Sequence, residues 1–309
     1  DLEKILKKMT THIARNNGKV DPEMFRLAVA SGRGIGKSAL VAWIILWMLS
    51  TRPGATVIVT ANTEQQLRSR TWAELGKWLT LSLNSHWWSK TATTIKPAPW
   101  FDEALERDLK IDTGYYYAQA QLWSEENPDA FAGIHSSYGV CLIMDEASGI
   151  PAPIYSVSEG FFSEPTPNRF WFTFSNPRRN QGPFYDSFHS AKAFWKNEQI
   201  DSRTVEGTDK DLFTKMIEQY GEDSTVARVE VVTAEGVAAT TTAAIVNRRW
   251  VEVPLEDPGD DTRLVVTNAG DGVLAILGPR PVQVWRASDA LRSEEHTSEL
   301  QSRQYLVCR

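Results

Sequence analysis

A glycine-rich segment near the N-terminus has the residue types and spacing of a phosphate-binding loop. It consists of Ser31, Gly32, Arg33, Gly34, Ile35, Gly36, Lys37 and Ser38. Glycines let backbone N–H groups close around phosphate oxygens, and a following helix adds partial positive charge at its N-terminus. A lysine at the position of Lys37 reaches the β- and γ-phosphates, and the Ser38 hydroxyl is a ligand for Mg²⁺. The segment predicts nucleotide binding, although Ser31 stands where the usual motif has its first glycine.

A second, acidic motif supplies residues that could hydrolyse a bound nucleotide. The apolar run at residues 140–144 predicts a strand buried on both faces, and Asp145 and Glu146 follow it directly. Open α/β sheets bind ligands at the carboxyl ends of their strands. There Asp145 would hold Mg²⁺ through its water shell, and Glu146 would orient and deprotonate the attacking water. The alternative is a strand that ends in two solvated acids.

The elements around both motifs predict an α/β fold with a mostly parallel sheet flanked by helices. A short apolar run at residues 27–30 predicts a strand before the glycine-rich segment, and residues 39–49 predict a helix after it. Residues 55–61 and 169–175 predict further buried strands. Thr63 is a predicted N-cap for a helix that ends near residue 81. This strand–loop–helix order favours a P-loop NTPase core over an incidental glycine-rich turn.

The remaining segments carry weaker patterns. Residues 84–98 read as a loop, residues 109–123 as a hairpin around Thr113 and Gly114, and residues 184–195 and 209–220 as helices.

Composition narrows the class of protein. The chain has 309 residues and a net charge of −6, so any contact with nucleic acid must be a local basic patch. Its two cysteines, Cys141 and Cys308, form neither a disulfide framework nor a zinc-site spacing, which favours a reducing compartment. The apolar run at residues 39–49 is too short to cross a bilayer, and no secretion signal is recognisable. We expect no membrane association.

Five segments, in this order and spacing, resemble the ATPase domain of tailed-phage terminase large subunits. They are SGRGIGKSAL, VTANTEQQLRSRTWAEL, NPDAFAGIH, LIMDEASGI and TFSNPRRNQGPFYDSF, and the resemblance covers about residues 20–230. Its most specific parts are NPDAFAGIH before the acidic strand and the Ser-Asn-Pro sequence after the next strand. That family packages viral double-stranded DNA into procapsids with an ATP-driven motor.

The resemblance implies roles for individual residues, with ATP and Mg²⁺ as cofactors. Arg33 would be a catalytic arginine that contacts the γ-phosphate or senses its loss; the alternative is an ordinary surface arginine. Asp145 and Glu146 match the magnesium-site acid and the catalytic acid. The remaining matched residues would form the motif that couples hydrolysis to a moving subdomain, or otherwise a strand-ending turn: Ser175, Asn176 and Pro177.

The resemblance also implies partners: double-stranded viral DNA, a portal protein and a small terminase subunit, with copies forming a ring on the portal in the host cytoplasm. An arginine acting in trans on a neighbouring copy would come from one of four candidates, each of which is alternatively a solvated surface residue. These are Arg68, Arg70, Arg178 and Arg179. Two alternative functions stay open for the chain: a helicase-like nucleic-acid translocase, and a truncated nucleotide-binding fragment that does not hydrolyse ATP.

We expect five parts along the chain. These are a helical lead-in at residues 1–25, the P-loop ATPase domain at 26–228, a linker at 229–262, a truncated start of an RNase H-like nuclease domain at 263–291, and a tail at 292–309.

The last three parts depart from the family pattern. Residues 229–242 are rich in Ala and Thr where the family has an arginine-containing strand. Thr267 and Asn268 stand where the nuclease domain has an aspartate, and Asp271 is the nearest acid. We therefore expect no nuclease activity from this chain. Residues 292–302 resemble a translated sequencing adapter, so we expect the tail to carry no function.

Overall fold

The computed structural model describes residues 2–17, 19, 22–166, 168–221, 224 and 227–231, followed by five short strands between residues 243 and 286. The chain divides into two compact units, Asp1–Ala238 and Ala239–Arg309. The predicted five-part division of the chain remains a prediction. Asp271, Cys308 and the adapter-like segment lie outside the described residues.

The first unit contains one eight-stranded sheet. Its strands are β1 Phe25–Ser31, β2 Thr56–Thr60, β3 Trp88–Lys90, β4 Thr94–Pro97, β5 Ala118–Ala120, β6 Val140–Asp145, β7 Arg169–Ser175 and β8 Lys196–Ile200. Their order across the sheet is β3-β4-β5-β2-β6-β7-β1-β8. The six strands from β5 to β8 in this order are parallel, while β3 and β4 add an antiparallel edge. The mostly parallel α/β sheet predicted from the sequence is confirmed.

Helices flank this sheet. They are α1 Leu2–Asn16, α2 Lys37–Thr51, α3 Glu64–Gln66, α4 Ala73–Leu81, α5 Pro99–Ala104, α6 Ala152–Ser158, α7 Pro183–Asp186 and α8 Lys210–Tyr220. A π-helical turn, Leu67–Trp72, joins α3 to α4, so the predicted helix from Thr63 to residue 81 is present with one widened turn. Within the part of the chain that the structure describes, no helix is both long and apolar enough to cross a membrane.

The strand residues alternate between two hydrophobic cores, one on each face of the sheet. In β1, Leu27 and Val29 belong to the core that contains α2, whereas Ala28 and Ala30 belong to the core that contains α6. Period-two alternation of side chains in a strand produces this division, and both faces are apolar because helices cover both. The central strands are therefore buried on both faces.

The second unit is described only as strands. These are β9 Ala243–Val246, β10 Arg249–Glu252, β11 Arg263–Thr267, β12 Val273–Leu277 and β13 Gln283–Arg286. β9 and β10 form an antiparallel pair, and β11, β12 and β13 form an antiparallel three-stranded sheet. β11 and β12 lie within residues 263–291, the segment predicted to be a truncated nuclease-domain start. Whether this unit is the start of a nuclease domain remains a prediction.

Three local predictions were wrong. Residues 84–98 are not a loop, because they contain β3 and β4, which pair with each other. Residues 109–123 do not form a hairpin: Asp112 caps a 3₁₀ turn at Thr113–Tyr115, and the single strand β5 then pairs with β2. The predicted helix at residues 184–195 shrinks to α7 and a 3₁₀ turn, and β8 follows it. The loop prediction fails because β3 and β4 pair with each other and β4 also pairs with β5, and the hairpin prediction fails because β5 pairs with the distant β2.

Candidate functional site

The predicted site residues converge on one edge of the sheet. β1, β7 and β6 are consecutive parallel neighbours, so their carboxyl ends lie side by side. The glycine-rich segment follows β1, the acid pair stands at the end of β6, and Ser175 and Asn176 stand at the end of β7. The structure thus brings together three motifs that lie far apart along the chain.

The glycine-rich segment forms a loop that leads directly into α2. Gly34 and Gly36 have φ angles of 76° and 84°, in the left-handed region that residues with a side chain rarely adopt. Gly36 is the N-cap of α2 and provides no side-chain cap, so the first turn of this 15-residue helix presents its N–H groups to the loop. An uncapped helix N-terminus behind a glycine loop suits an anion.

The far side of the loop is anchored to the end of β8. Gly32 N donates a hydrogen bond to Ile200 O at 3.4 Å, and Ser202 Oγ donates one to Arg33 O at 3.0 Å. The Arg33 side chain itself is exposed. The backbone of Arg33 is therefore held by hydrogen bonds at the exposed surface of the loop, which suits contact with a ligand there.

Lys37 lies within this loop and connects it to β7. Its Nζ donates hydrogen bonds to Gly32 O at 2.7 Å, to Ser31 O at 3.4 Å and to Asn176 Oδ1 at 3.0 Å. These three acceptors are neutral oxygens. A phosphate oxygen is a stronger acceptor for an ammonium group because the hydrogen bond is then charge-assisted on both sides.

Other features of the loop also fit a phosphorylated ligand and its metal. Ser31 is fully buried, and its Oγ has no hydrogen-bond partner among the residues described. Ser38 follows Lys37 in the first turn of α2 and is half-buried. A hydroxyl and the nearby carboxylate of Asp145 are hard oxygen ligands of the kind Mg²⁺ uses, the remaining ligands being water and substrate phosphate. The described part of the chain contains no cluster of three or more His, Cys, Asp or Glu side chains arranged for a metal.

Asp145 is held by two hydrogen bonds at the end of β6. Thr71 Oγ1 donates to its Oδ2 at 2.7 Å, and Glu146 N donates to its Oδ1 at 3.0 Å. Desolvation by the surrounding protein raises the pKa of Asp145, and the charge of Glu146 adds to this effect, while the Thr71 hydrogen bond and Lys37 oppose it. The carboxylate is oriented by these two hydrogen bonds, and burial disfavours its charged form.

Glu146 has an unusual backbone conformation. Its φ and ψ angles are 55° and 39°, in the left-handed region, although it is not a glycine. Its carbonyl oxygen accepts two hydrogen bonds, from Gly149 N at 3.0 Å and from Asn62 Nδ2 at 3.0 Å. Its side chain is half-exposed at the sheet edge. A strained residue held by its surroundings is a common feature of functional sites.

Neither Thr71 nor Asn62 is among the residues that the sequence predicts for this site. Both lie in the segment VTANTEQQLRSRTWAEL, which the family resemblance singled out as a whole. Asn62 lies two residues after the end of β2. Residues at the carboxyl ends of parallel strands often belong to ligand sites. Thr71 lies in the π-helical turn, a feature that sequence patterns do not predict but that often marks functional sites.

Asn176 links the glycine-rich loop to a segment that is distant in sequence. Its Oδ1 accepts the hydrogen bond from Lys37, and its Nδ2 donates one to Val229 O at 2.9 Å. Ser175 Oγ accepts a hydrogen bond from Ser148 N at 3.1 Å, which connects the same strand end to the turn after the acid pair. Pro177 follows and is half-buried. Asn176 therefore contacts the glycine-rich loop and the turn Ala227–Val231, while Ser175 contacts the turn that follows the acid pair.

The four arginine candidates for action in trans lie on the surface. Arg70, Arg178 and Arg179 have exposed side chains. Arg68 is about half exposed and forms an ion pair with Glu64, 2.8 Å between Nη2 and Oε1, one helical turn away. Such surface pairs contribute little to stability, so this contact does not prevent another role. The choice among the four stays a prediction.

We expect Asp145→Asn to raise the thermal stability of the chain in Mg²⁺-free buffer at pH 7. Because folding raises the pKa of Asp145, its protonated form is favoured in the folded state, and stability from this group is lost as pH rises through the folded pKa. Asparagine removes the uncompensated charge. Each kcal/mol recovered would raise the melting temperature by about 2–4 °C. Differential scanning fluorimetry at pH 7 measures the shift.

The exposed Asp129 provides the matched control, since Asp129→Asn removes one charge without relieving a burial cost. The gain from Asp145→Asn should also shrink as the pH is lowered through the raised pKa of Asp145, because the wild-type carboxyl is then protonated as well. A melting temperature that falls at pH 7 would show that the carboxylate is not a destabilising charge.

Comparison with known proteins identifies a sequence relative. The chain is 29% identical over 170 residues to the probable terminase large subunit of Enterobacteria phage P7, a match that covers 52% of this chain and 31% of that protein. The chain therefore spans about a third of the length of this curated relative. No family model matches the chain.

Solved structures support the same relationship at the level of fold. The large terminase of a thermophilic bacteriophage, solved in complex with ADP, has a TM-score of 0.51 and 11% sequence identity, and the match covers 96% of this chain and 72% of that one. A weaker likeness, with a TM-score of 0.45 and 16% identity, is to the large terminase ATPase domain of Thermus phage P74-26, covering 71% and 90% of the two chains. The resemblance to tailed-phage terminase large subunits is confirmed: the chain is similar to one in sequence and shares the fold of another.

Proposed function

We propose that this chain is the ATP-hydrolysing motor part of a viral DNA-packaging terminase, which couples ATP hydrolysis to translocation of double-stranded DNA into a procapsid. The observation that carries the proposal is the hydrogen-bonded arrangement at the sheet edge. Lys37 of the phosphate loop contacts Asn176 at the end of β7, beside the acid pair at the end of β6. Nucleotide-binding, hydrolytic and coupling groups thus meet at one place.

ATP is the ligand that best fits the loop. The uncapped N-terminus of α2, the Lys37 ammonium and the left-handed glycines together form a cradle for phosphate oxygens. The large terminase of the thermophilic bacteriophage, whose fold this chain shares, was solved with ADP, which supports a nucleotide as the ligand. Arg33, exposed above a loop with a fixed backbone, is placed to contact a γ-phosphate.

In the proposed mechanism the protein supplies position and charge. Lys37 exchanges its neutral carbonyl acceptors for phosphate oxygens and stabilises the negative charge that develops on them. Ser38 and Asp145 would hold Mg²⁺, which when bound neutralises phosphate charge. Glu146 orients a water molecule and accepts its proton as the water oxygen bonds to the γ-phosphorus, and the bond from that phosphorus to the bridging oxygen breaks, so that ADP leaves and phosphate is formed. The hydrogen bonds from Thr71 and Glu146 N keep Asp145 in one orientation throughout.

Coupling is assigned to Ser175, Asn176 and Pro177. Asn176 is buried. Its side-chain Oδ1 accepts a hydrogen bond from Lys37, and its Nδ2 donates one to Val229 O. If Lys37 turns towards a phosphate, Asn176 loses one partner and its link to the turn Ala227–Val231 is altered. The occupancy of the phosphate loop would in this way be transmitted to the Val229 backbone, 53 positions later in the chain.

The partners follow from the proposed function. We propose that the chain acts in the host cytoplasm with viral double-stranded DNA, a portal protein and a small terminase subunit, as one copy in a ring on the portal. Arg68, Arg70, Arg178 and Arg179 remain the candidates for an arginine that acts on a neighbouring copy. Such an arginine raises turnover about 10³–10⁵-fold where it has been measured in other P-loop enzymes, so the isolated chain should be slow.

The test is ATP hydrolysis by the 309-residue chain, measured as phosphate release with and without linear double-stranded DNA. Turnover that requires Mg²⁺ and rises when duplex DNA is added supports the proposal. Displacement of a DNA strand would favour the helicase-like rival, whereas dependence on a procapsid that carries a portal would favour packaging. ATP binding with no turnover under any condition would favour the non-hydrolysing rival.

The same assay tests the coupling residues through Asn176→Ala. The variant should lose the stimulation by DNA, because the hydrogen-bonded link from Lys37 through the Asn176 amide to Val229 O is removed. Asn197→Ala is the matched control, since its amide also donates to a backbone carbonyl, that of Ser187, at 2.8 Å, and lies outside the loop and acid pair. Full stimulation in Asn176→Ala would remove Asn176 from the coupling path.

A further inference from the structure

Asn62 contacts the backbone of Glu146 and has no part in the mechanism described above. We propose that Asn62 is a positioning residue, which holds Glu146 in the left-handed backbone conformation that sets the direction of its carboxylate. The inference rests on the proposed function, because it assigns to Asn62 a role in the same hydrolytic step.

The backbone of Glu146 requires an external constraint. A left-handed conformation is disfavoured for residues with a Cβ, and glutamate lacks the short polar side chain with which Asn or Asp relieves it. Among the described residues only Glu146 and Lys110 combine a side chain with a positive φ. The Glu146 carbonyl oxygen is held by Gly149 N from within its own turn and by Asn62 Nδ2 from outside it, each at 3.0 Å.

Asn62 is well placed to act as that constraint. It follows β2, and Thr60 at the end of β2 is in register with Met144 of β6, so the two strand ends are fixed relative to each other. The amide orientation is set by its partner, since the reversed amide would place Oδ1 against the Glu146 carbonyl oxygen. Asn62 Oδ1 is itself buried and has no hydrogen-bond partner among the described residues.

Gly149 leaves the space that the Asn62 amide occupies. A Cβ added at Gly149 would lie 2.2 Å from Asn62 Nδ2, 2.7 Å from its Cγ and 2.8 Å from its Oδ1, and these are its three nearest atoms. The φ angle of Gly149 lies outside the left-handed region, so alanine is compatible with its backbone. The requirement for glycine at this position therefore comes from Asn62, and the two residues form a complementary pair around the Glu146 carbonyl.

A displaced base is expected to slow hydrolysis without weakening nucleotide binding. The phosphate loop lies on β1 and α2, whereas Asn62, Glu146 and Gly149 lie on the segments after β2 and β6. A misplacement of about 1 Å in a reacting group can lower turnover about 100-fold. A purely structural role for Asn62 would instead lower the melting temperature and leave kcat unchanged.

The experiment is a double-mutant cycle in the 309-residue chain, with wild type, Asn62→Ala, Gly149→Ala and the double variant. We expect each single substitution to lower kcat about 10- to 100-fold, with the Kd for a fluorescent ATP analogue within about twofold of wild type. The double variant should be no slower than Asn62→Ala, because alanine at position 149 then meets no amide. Unchanged Kd values also show that the variants are folded.

Asn84→Ala is the matched control. It removes the same side chain and one hydrogen bond, from Asn84 Nδ2 to Ser50 Oγ at 2.8 Å, at the opposite end of α2 from its phosphate-binding end. Its kcat should stay within about twofold of wild type. Either of two results would overturn the inference: Asn62→Ala with a kcat within about twofold of wild type, or single effects that multiply in the double variant.

Failure of the proposed function gives a different pattern. If wild type does not hydrolyse ATP, both the proposed function and the role of Asn62 are overturned. If wild type hydrolyses ATP and Glu146→Gln does not, while Asn62→Ala keeps its turnover, only the role of Asn62 is overturned.

Discussion

Glu146→Gln should bind ATP with nearly unchanged affinity and should lose turnover. Glutamine has almost the shape of glutamate but cannot accept the proton of the attacking water. General-base catalysis contributes about 10²–10⁴-fold in rate, so phosphate release should fall by at least that factor. The contacts that hold position 146, from Asn62 Nδ2 and Gly149 N, are made to its backbone oxygen and survive the substitution. Phosphate release and equilibrium binding of a fluorescent ATP analogue measure the two effects.

Glu125→Gln is the control for loss of one negative charge, since Glu125 is exposed in a loop between β5 and β6. It should retain turnover. If Glu146→Gln hydrolysed ATP at the wild-type rate, Glu146 would not be the base, and the acid pair would serve only to hold Mg²⁺ through Asp145.

Lys37→Ala should lower the affinity for ATP by about 10- to 100-fold. A hydrogen bond to a charged group contributes about 1.5–3 kcal/mol, and about 1.4 kcal/mol corresponds to a tenfold change in Kd. Lys37 is already half-buried, and its ammonium donates hydrogen bonds to Gly32 O and Asn176 Oδ1. The side chain therefore loses little further conformational entropy when ATP binds. Titration of the fluorescent ATP analogue measures the Kd.

A control variant and a control ligand test whether the effect of Lys37→Ala is specific to the phosphates of ATP. Lys77→Ala removes an exposed lysine of α4 that pairs with Glu74, and its Kd should match wild type. The loss in Lys37→Ala should be larger for ATP than for adenosine, since adenosine has no phosphate to meet Lys37. Equal Kd values for ATP in Lys37→Ala and wild type would mean that the glycine-rich segment does not bind the phosphates of ATP.

The loop between β1 and α2 and the acid pair at the end of β6 could be located because the residues that define them are consecutive in the sequence. Residues 31–38 and the Asp145–Glu146 pair each follow a recognisable apolar run. The strand, the loop and the helix that contain residues 31–38 are also consecutive in the sequence. The mostly parallel sheet could also be predicted, since runs that are apolar on both faces indicate strands covered by helices.

Prediction failed where pairing with distant residues decides the structure. The residues at 118–120 become a strand because β2, far earlier in the chain, offers them a parallel partner. β8, at Lys196–Ile200, contains mostly polar residues, and it is a strand because it completes the edge beside β1. Local propensity carries no information about such partners.

The sequence by itself determined which chemical groups this protein offers: a glycine-rich segment ending in Lys37 and Ser38, two adjacent acids, and an asparagine after the next predicted strand. Only the tertiary structure decided how those groups are held. Thr71 reaches Asp145 across 74 residues of chain, and Asn62 reaches Glu146 across 84. These contacts depend on the order β2-β6-β7-β1 across the sheet, which arises from packing of the whole core rather than from any local run of residues.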